Sequence, residues 1–283
     1  MADHVLLPDG TRLPAIGQGT WFMGENPSQR AAEVRALQQG LDAGMTLIDT
    51  AEMYADGGAE QVVGEAIAGR RDQVFLVSKV YPHHAGGKKA ITACENSLQR
   101  LATEQIDLYL LHWRGGFGLD EIIEAMEKLQ CSGKIARWGV SNLDTADMEE
   151  LWQLPGGDQC QINQVLYHAA SRGIEYDLLP WCRAHAVPVM AYCPLAQAGK
   201  LRHQLLEEPT LSRLATEHGV SNAEIALAWV IRSGQVIAIP KAVQPQHVAQ
   251  NARALTLTLS NDDLLALDQA FPPPARKQPL DIV

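Results

Sequence analysis

The sequence has little of what marks membrane, secreted or metal-binding proteins. No apolar run approaches the roughly 20 residues that a membrane-spanning helix needs, and the first residues lack the basic flank and long apolar core of a signal peptide. The five cysteines are scattered and never spaced as C-x-x-C. Such cysteines are typical of reduced thiols rather than of a disulfide framework or a zinc site. We therefore expect a cytoplasmic protein with no metal site and no membrane contact.

Positive charge is also scarce. The 283 residues include 23 Lys and Arg against 33 Asp and Glu, a formal net charge of −10, and there is no basic tract. An acidic chain of this kind is a poor partner for nucleic acid or for anionic membranes. Apolar residues make up 46% of the chain and charged residues 20%, which is the balance of a globular protein with a buried core.

Short apolar segments recur along the chain at a regular spacing. The spacing is mostly about 25–32 residues, which corresponds to one β-strand, one helix and two short loops. The segments lie near Ile16 and at 47–48, 74–77, 108–111, 138–140, 161–162, 187–192 and 236–239.

The stretches between these segments have the periodicity of amphipathic helices. Val34, Leu37 and Leu41 fall on one face of the first, for which Asn26 is the expected cap and Pro27 the first residue. Further helices are expected over 91–101, 122–129, 211–218 and 221–232, and an extra loop over 194–209.

Strands that alternate with helices, without a break in composition, predict a closed α/β barrel of the (β/α)8 TIM type. We expect one domain over residues 1–283, with an additional N-terminal β-hairpin around the turn sequence at 8–10. The main alternative is the doubly wound fold, which usually carries G-x-G-x-x-G. Gly17 and Gly19 begin that motif but the third glycine is missing, so we expect no Rossmann domain.

Polar side chains end several of the predicted strands. Asp49 ends the second strand, Lys79 the third and His112 the fourth, and Tyr54 follows Asp49 by five residues. The carboxyl ends of barrel strands converge on one face, where active sites lie. Ionisable groups on three consecutive strand ends, with a phenol nearby, predict a proton-transfer site.

These residue types suit the reduction of a carbonyl group. Tyrosine titrates near pH ~10, too high for an efficient acid at neutral pH, but an adjacent ammonium lowers that pKa. Asp49, Lys79 and Tyr54 would form such a relay, and a neutral His112 would donate to the substrate oxygen. The alternative is a lyase that forms a Schiff base on Lys79, which requires a neutral amine and is opposed by Asp49.

Several motifs resemble those of the aldo-keto reductases, which are NAD(P)H-dependent (β/α)8 barrels. The motifs lie at 44–64, 77–80, 110–113, 134–142 and 239–241, with 250–251 downstream. The resemblance extends from the opening hairpin to about Asp268 and is nearest to the bacterial methylglyoxal and diketogluconate reductase branch. It implies an oxidoreductase that uses NADPH as its cofactor.

The resemblance assigns roles to the strand-end residues. It implies that Tyr54 is the general acid, that Asp49 and Lys79 tune it, and that His112 orients the carbonyl group. The positions that match the substrate pocket are Trp21, Met53, Tyr81 and Trp113.

The other matching positions correspond to cofactor contacts. Ser141, Asn142 and Gln164 match residues that hydrogen-bond the nicotinamide carboxamide, and Tyr192 matches the ring that stacks on the nicotinamide. Lys241 matches the residue that pairs with the adenosine 2′-phosphate. The remaining cofactor positions are Thr20, Leu195 and Gln197, and Gln250 and Asn251 for the adenine.

The chain departs from the family pattern at four places. The loop at 55–59 is longer than the shortest form of the motif, and Cys193 replaces a serine. Ala242 and His247 replace a hydroxyl residue and an arginine where the 2′-phosphate binds. Because His247 is charged only when protonated, we expect a reduced preference for NADPH, with NADH accepted as well.

The sequence also bears on substrates and partners. Only residues 271–283 follow Ala270, and the prolines at 272–274 cannot continue a helix. We therefore expect a tail too short for a deep lid, and small reactive carbonyl compounds such as methylglyoxal as substrates. No feature indicates a macromolecular partner, so we expect a monomer. The alternative class is a binding module like the channel β-subunits of the family, which keep the cofactor but act mainly through partners.

Overall fold

The computed structural model describes residues 3–283, which begin with an antiparallel hairpin of β1 (His4–Leu6) and β2 (Arg12–Pro14). Its tight turn closes with a hydrogen bond from the Gly10 amide to the Leu7 carbonyl, 2.9 Å. The turn residue Asp9 accepts a hydrogen bond from Arg137 and donates its amide to Gln161. Both partners precede barrel strands, so the hairpin covers the amino-terminal end of the barrel.

Eight parallel strands follow in chain order around the barrel. Their bounds are β3 (Gln18–Gly19), β4 (Leu47–Asp49), β5 (Phe75–Val80), β6 (Leu108–Leu111), β7 (Trp138–Ser141), β8 (Asn163–Leu166), β9 (Val189–Tyr192) and β10 (Val236–Ala238). The last strand returns to the first, because the Gly17 amide donates to Ala238 O at 2.8 Å and the Ala238 amide to Ala15 O at 2.9 Å. The predicted (β/α)8 barrel is confirmed.

Helices surround the strands. Within residues 3–283 they are α1 (Arg30–Asp42), α2 (Gly58–Ala66), α3 (Gly87–Leu101), α4 (Leu119–Cys131), α5 (Thr145–Gln153), α6 (Leu178–Ala184), α7 (Lys200–Leu206), α8 (Pro209–His218), α9 (Asn222–Ile231), α10 (Pro245–Arg253) and α11 (Asn261–Ala270). Every residue of β4, β6, β7 and β8 is buried, as expected for parallel strands covered on both faces. In the described part of the chain, no helix is long and apolar enough to cross a membrane.

Several boundaries differ from the sequence predictions. Helix α1 begins at Arg30 rather than Pro27, because the Asn26 side chain accepts the Ser28 amide at 3.0 Å and caps a separate turn. The segment expected to be a loop over 194–209 contains α7. Strand β8 spans Asn163–Leu166 rather than the apolar segment predicted at 161–162, so Gln164 lies within the strand.

Candidate active site

A tyrosine, a lysine and an aspartate meet at the carboxyl-terminal mouth of the barrel. Lys79 Nζ donates to Asp49 Oδ2 at 2.7 Å, to the Thr50 carbonyl at 2.9 Å and to Tyr54 Oη at 3.2 Å. Asp49 is the last residue of β4 and Lys79 lies near the end of β5, which pairs with it. Both side chains are buried. The predicted cluster of Asp49, Lys79 and Tyr54 is therefore present.

Burial dominates the electrostatics of this cluster. It lowers the pKa of Lys79 and raises that of Asp49, while the ion pair between them opposes both shifts. The pKa of Tyr54 is raised well above its ordinary value by burial and by the nearby Asp49 carboxylate. The expectation of a lowered pKa for Tyr54 is therefore wrong for the protein without ligand, because Asp49 offsets the charge of Lys79 and the phenol is out of water.

His112 lies directly after β6, with its ring edge toward Tyr54 at a centroid distance of 5.9 Å. Its amide donates to Val80 O at 3.0 Å, which fixes the backbone beside β5. Burial and the charge of Lys79 lower its pKa to about 2, so the imidazole is neutral. Ring atom Nδ1 is buried without a hydrogen-bond partner in the described residues. The other nitrogen, Nε2, is therefore the one available to a ligand.

Polar residues on the next strands join the same cluster. Gln164 Nε2 donates to Asp49 Oδ1 at 2.8 Å, a contact across the barrel that sequence reasoning missed. Ser141 Oγ donates to Gln164 O at 2.8 Å, and Tyr192 Oη donates to Asn142 Oδ1 at 2.9 Å. Asn142 has a positive φ of 58°, a conformation that asparagine adopts more readily than most residues.

These groups lie in or beneath an open cleft of about 480 Å³. Thr20 lines its floor and donates from Oγ1 to Asp49 O at 2.9 Å. The predicted site residues that line the cleft are Thr20, Trp21, Asp49, Met53, Tyr54, His112, Trp113, Ser141, Asn142, Gln164, Tyr192, Leu195, Gln197 and Lys241. Lys79 lies beneath them, fully buried.

Besides Lys79, four predicted residues do not line this cleft. Tyr81 lies behind Trp113, with the two rings edge to face at 5.9 Å, and its amide donates to the buried carboxylate of Glu52 at 2.7 Å. His247 is on the exposed surface of α10, outside the cleft. Gln250 is half-buried on the same helix, and Asn251 borders a small separate cavity.

The cleft also contains residues that sequence reasoning missed. Phe22, Arg114, Arg202, Ile282 and Val283 all contribute to its walls. The rings of Trp21 and Phe22 stack at 4.5 Å. Phe22 follows the predicted pocket residue Trp21 directly, and this adjacency is the signal that could have identified it. The residues of the tail carried no comparable signal, because only the three-dimensional path of the chain brings them there.

The fold and the residues at the mouth of the barrel define a class of protein. A closed (β/α)8 barrel with a neutral imidazole, a phenol and a lysine–aspartate pair at its mouth is an enzyme scaffold built for proton transfer to a bound substrate.

Comparison with known proteins identifies the family. Residues 15–271 match the model of the aldo/keto reductase family. The chain is 63% identical to methylglyoxal reductase YeaE of Escherichia coli K12 over 271 residues, which is 96% of this chain and 95% of that protein. It is 32% identical to glyoxal reductase of Bacillus subtilis, over 95% of this chain and 92% of that protein.

Solved structures agree with this relationship. An aldo/keto reductase from Klebsiella pneumoniae in complex with NADP and acetate superposes with a TM-score of 0.98 at 59% identity, covering 100% of both chains. An aldo-keto reductase from the same species in complex with NADPH gives 0.97 at 58% identity, again over 100% of both chains. The chain belongs to the aldo/keto reductase family and is an oxidoreductase.

Proposed function

We propose that this chain reduces small aldehydes and ketoaldehydes, such as methylglyoxal, to alcohols, with NADPH as hydride donor and Tyr54 as general acid. The observation that carries the proposal is the contact of 3.2 Å between Lys79 Nζ and Tyr54 Oη at the floor of an open cleft. The 63% identity to a methylglyoxal reductase supports the choice of substrate.

The proton reaches the substrate from Tyr54. The phenol is protonated at neutral pH, since its pKa is raised above an ordinary value that already lies near ~10, so it is in the form that an acid requires. As the proton leaves, Lys79 stabilises the developing tyrosinate, and Asp49 holds Lys79 charged and in place at 2.7 Å. Neutral His112 donates from Nε2 to the carbonyl oxygen and orients it.

The residues of the cleft fit NADPH. Ser141, Asn142 and Gln164 offer amide and hydroxyl groups beside the half-buried ring of Tyr192, as a nicotinamide and its carboxamide require. Lys241 is exposed and forms no ion pair within the described residues, so its charge is available to the 2′-phosphate. When bound, the reduced nicotinamide supplies the hydride. The related Klebsiella pneumoniae enzymes hold NADP and NADPH.

The apolar walls favour small or aromatic carbonyl compounds. Trp21, Phe22, Met53 and Trp113 present ring and thioether surface around the phenol of Tyr54. Apolar walls with a few convergent polar groups bind a small carbonyl compound by its apolar part and orient it by its oxygen.

The proposal is tested by following NADPH oxidation over a panel of carbonyl substrates. We expect turnover of methylglyoxal and short aryl aldehydes. A higher kcat/KM for steroid ketones than for every small aldehyde would contradict the substrate class. NADPH binding without turnover of any carbonyl compound would indicate a binding module instead. Trapping of substrate on Lys79 by borohydride would indicate a Schiff-base lyase.

We also propose that the enzyme acts as a cytoplasmic monomer. The residues assigned to acid, substrate and cofactor all come from one chain, so the site needs no second subunit. Light scattering of the purified protein tests this proposal. A stable dimer at micromolar concentration would contradict it.

A further inference from the structure

Arg202 is a cation in the cleft that the resemblance does not assign. It lies on α7, in the segment between β9 and α8, and lines the same cleft as Tyr54 and Lys241. Its Nε donates to Leu195 O at 3.3 Å and its Nη2 to Ala196 O at 3.2 Å. These two contacts fix the guanidinium plane against the loop that leaves β9. Its third nitrogen, Nη1, has no hydrogen-bond partner among residues 3–283.

The charge of Arg202 is not neutralised by the protein. Other charged side chains of the cleft already have ion-pair partners: Asp49 with Lys79, and Arg114 with Asp147 and Glu150. Within the described residues, neither Arg202 nor Lys241 forms such a pair. A cleft with two uncompensated cations, in a chain of net charge −10, is suited to a ligand with separate anionic groups.

We propose that Arg202 binds the pyrophosphate of the cofactor. The inference rests on the proposed use of NADPH. Arg202 is bonded to residues three and four positions after Tyr192, the ring assigned to the nicotinamide, whereas Lys241 is assigned to the 2′-phosphate. The pyrophosphate joins the two halves of the cofactor, and Nη1 is free to donate to it. The same guanidinium would then tie the loop over the bound phosphates.

This role predicts a specific pattern of affinities. The pyrophosphate is common to NADPH and NADH, whereas the 2′-phosphate belongs to NADPH alone. Arg202 therefore strengthens the binding of both cofactors equally and does not contribute to the discrimination between them. Lys241 contributes to that discrimination. Ala242 lacks the hydroxyl group that would bind the 2′-phosphate. Cofactor binding therefore depends more strongly on the contact with the pyrophosphate, which both cofactors share.

The experiment compares Arg202→Met with Lys241→Met by fluorescence titration of NADPH, NADH and adenosine 2′-monophosphate, which lacks the pyrophosphate. In Arg202→Met we expect both cofactor affinities to fall by the same factor, roughly tenfold to a hundredfold. The affinity for adenosine 2′-monophosphate should be unchanged, which also shows that the variant is folded. In Lys241→Met, NADPH and adenosine 2′-monophosphate should weaken and NADH should not.

The dependence of cofactor affinity on salt concentration distinguishes a charge contact of Arg202 with the phosphates from a role in positioning the loop. If Arg202 contacts the phosphates, Arg202→Met flattens the dependence of NADH affinity on ionic strength, and Arg202→Lys restores part of the slope. An unaltered slope in Arg202→Met, or an unaltered affinity for NADH, would overturn the inference. Failure of the wild-type protein to bind either cofactor would instead overturn the proposed function.

Discussion

Lys79 has three acceptors, and its contact with Tyr54 is the longest of them. In the resting state the ammonium is bound mainly by the Asp49 carboxylate and the Thr50 carbonyl. In the proposed mechanism Tyr54 gives up its proton, so its oxygen becomes an anion and its contact with Lys79 strengthens. An interaction that is stronger in the transition state than in the resting state accelerates the reaction. The contact between Lys79 and Tyr54 is therefore expected to stabilise the transition state of proton transfer more than the bound substrate.

Replacement of Tyr54 by phenylalanine tests the acid. The variant removes only the hydroxyl group and keeps the ring that packs against Trp21 and His112. We expect kcat to fall by about 10²–10⁴ or more, with the Kd for NADPH unchanged. Tyr81→Phe is the matched control and should keep its activity, because Tyr81 lies outside the cleft. A Tyr54→Phe enzyme that keeps a third of the wild-type kcat would remove Tyr54 from this role.

The pH dependence of kcat tests the protonation states. In the proposed mechanism His112 acts as the neutral imidazole, and its pKa of about 2 keeps it neutral through neutral pH. The same mechanism uses Tyr54 as the protonated phenol, and its raised pKa keeps it protonated through neutral pH. Reduction with saturating NADPH should therefore have a constant kcat from about pH 6 to 9. A decline in kcat near neutral pH that is absent from Tyr54→Phe would indicate a lowered pKa for Tyr54.

At the scale of elements, one buried carboxylate joins two helices to the strand that carries Lys79. Glu60 of α2 is fully buried and accepts from Ser78 Oγ of β5 at 2.6 Å and from Arg100 Nε of α3 at 2.6 Å. A buried acid with two short hydrogen bonds fixes the distance between the elements that it joins. Ser78 directly precedes Lys79 in the chain, so this junction holds the strand segment that carries the lysine.

Glu60→Ala should therefore destabilise the protein strongly. It leaves Arg100, whose side chain is 23% exposed, without its carboxylate and leaves a cavity at the junction, at a cost of about 3 kcal/mol. Glu65→Ala on the same helix removes an exposed ion pair with Arg30 and should cost at most about 1 kcal/mol. Urea unfolding measures both variants. Equal urea midpoints for the two variants would show that the buried contacts of Glu60 stabilise the protein no more than an exposed ion pair does.

The elements differ in how far local sequence specifies them. Ser221 caps α9, which was predicted over 221–232, through a reciprocal contact with Glu224. Asn26 was expected to cap α1, but its side chain closes a separate turn, and the N-cap of α1 is Gln29, three residues later. The side-chain oxygens of asparagine and serine both accept hydrogen bonds from backbone amides. Only the path of the chain after the residue decides whether a helix or a turn follows.

At the scale of the whole molecule, the convergence of strand ends made the proposed catalytic cluster predictable. Asp49, Lys79 and His112 follow consecutive strands, and a closed barrel brings such residues together. The Gln164–Asp49 contact was not predictable, because it joins strands on different sides of the barrel. The raised pKa of Tyr54 was not predictable either, since it depends on burial that a sequence does not reveal.

The tail at 271–283 is a further feature that the sequence left undetermined. It runs along the loop between β8 and α6, where Lys277 pairs with Asp177 at 2.7 Å and Ser171 bonds Asp281. This path brings Ile282 and Val283 to the rim of the cleft. The tail was expected to be too short for a deep lid, yet it contributes two apolar side chains to the rim.

Deletion of Ile282 and Val283 should therefore change substrate choice rather than catalysis. Both side chains are exposed where they line the cleft, so we expect them to contact the outer part of a larger substrate. We expect kcat/KM for aryl aldehydes to fall by roughly tenfold, since two apolar contacts of this size contribute on the order of 1–2 kcal/mol. Methylglyoxal is too small to reach the rim, and its kcat/KM should change little. Leu201→Ala, which removes an exposed leucine outside the cleft, is the control and should alter neither substrate. An equal loss for methylglyoxal, or a weakened Kd for NADPH, would mean that the tail supports the catalytic group or the cofactor instead of the outer pocket.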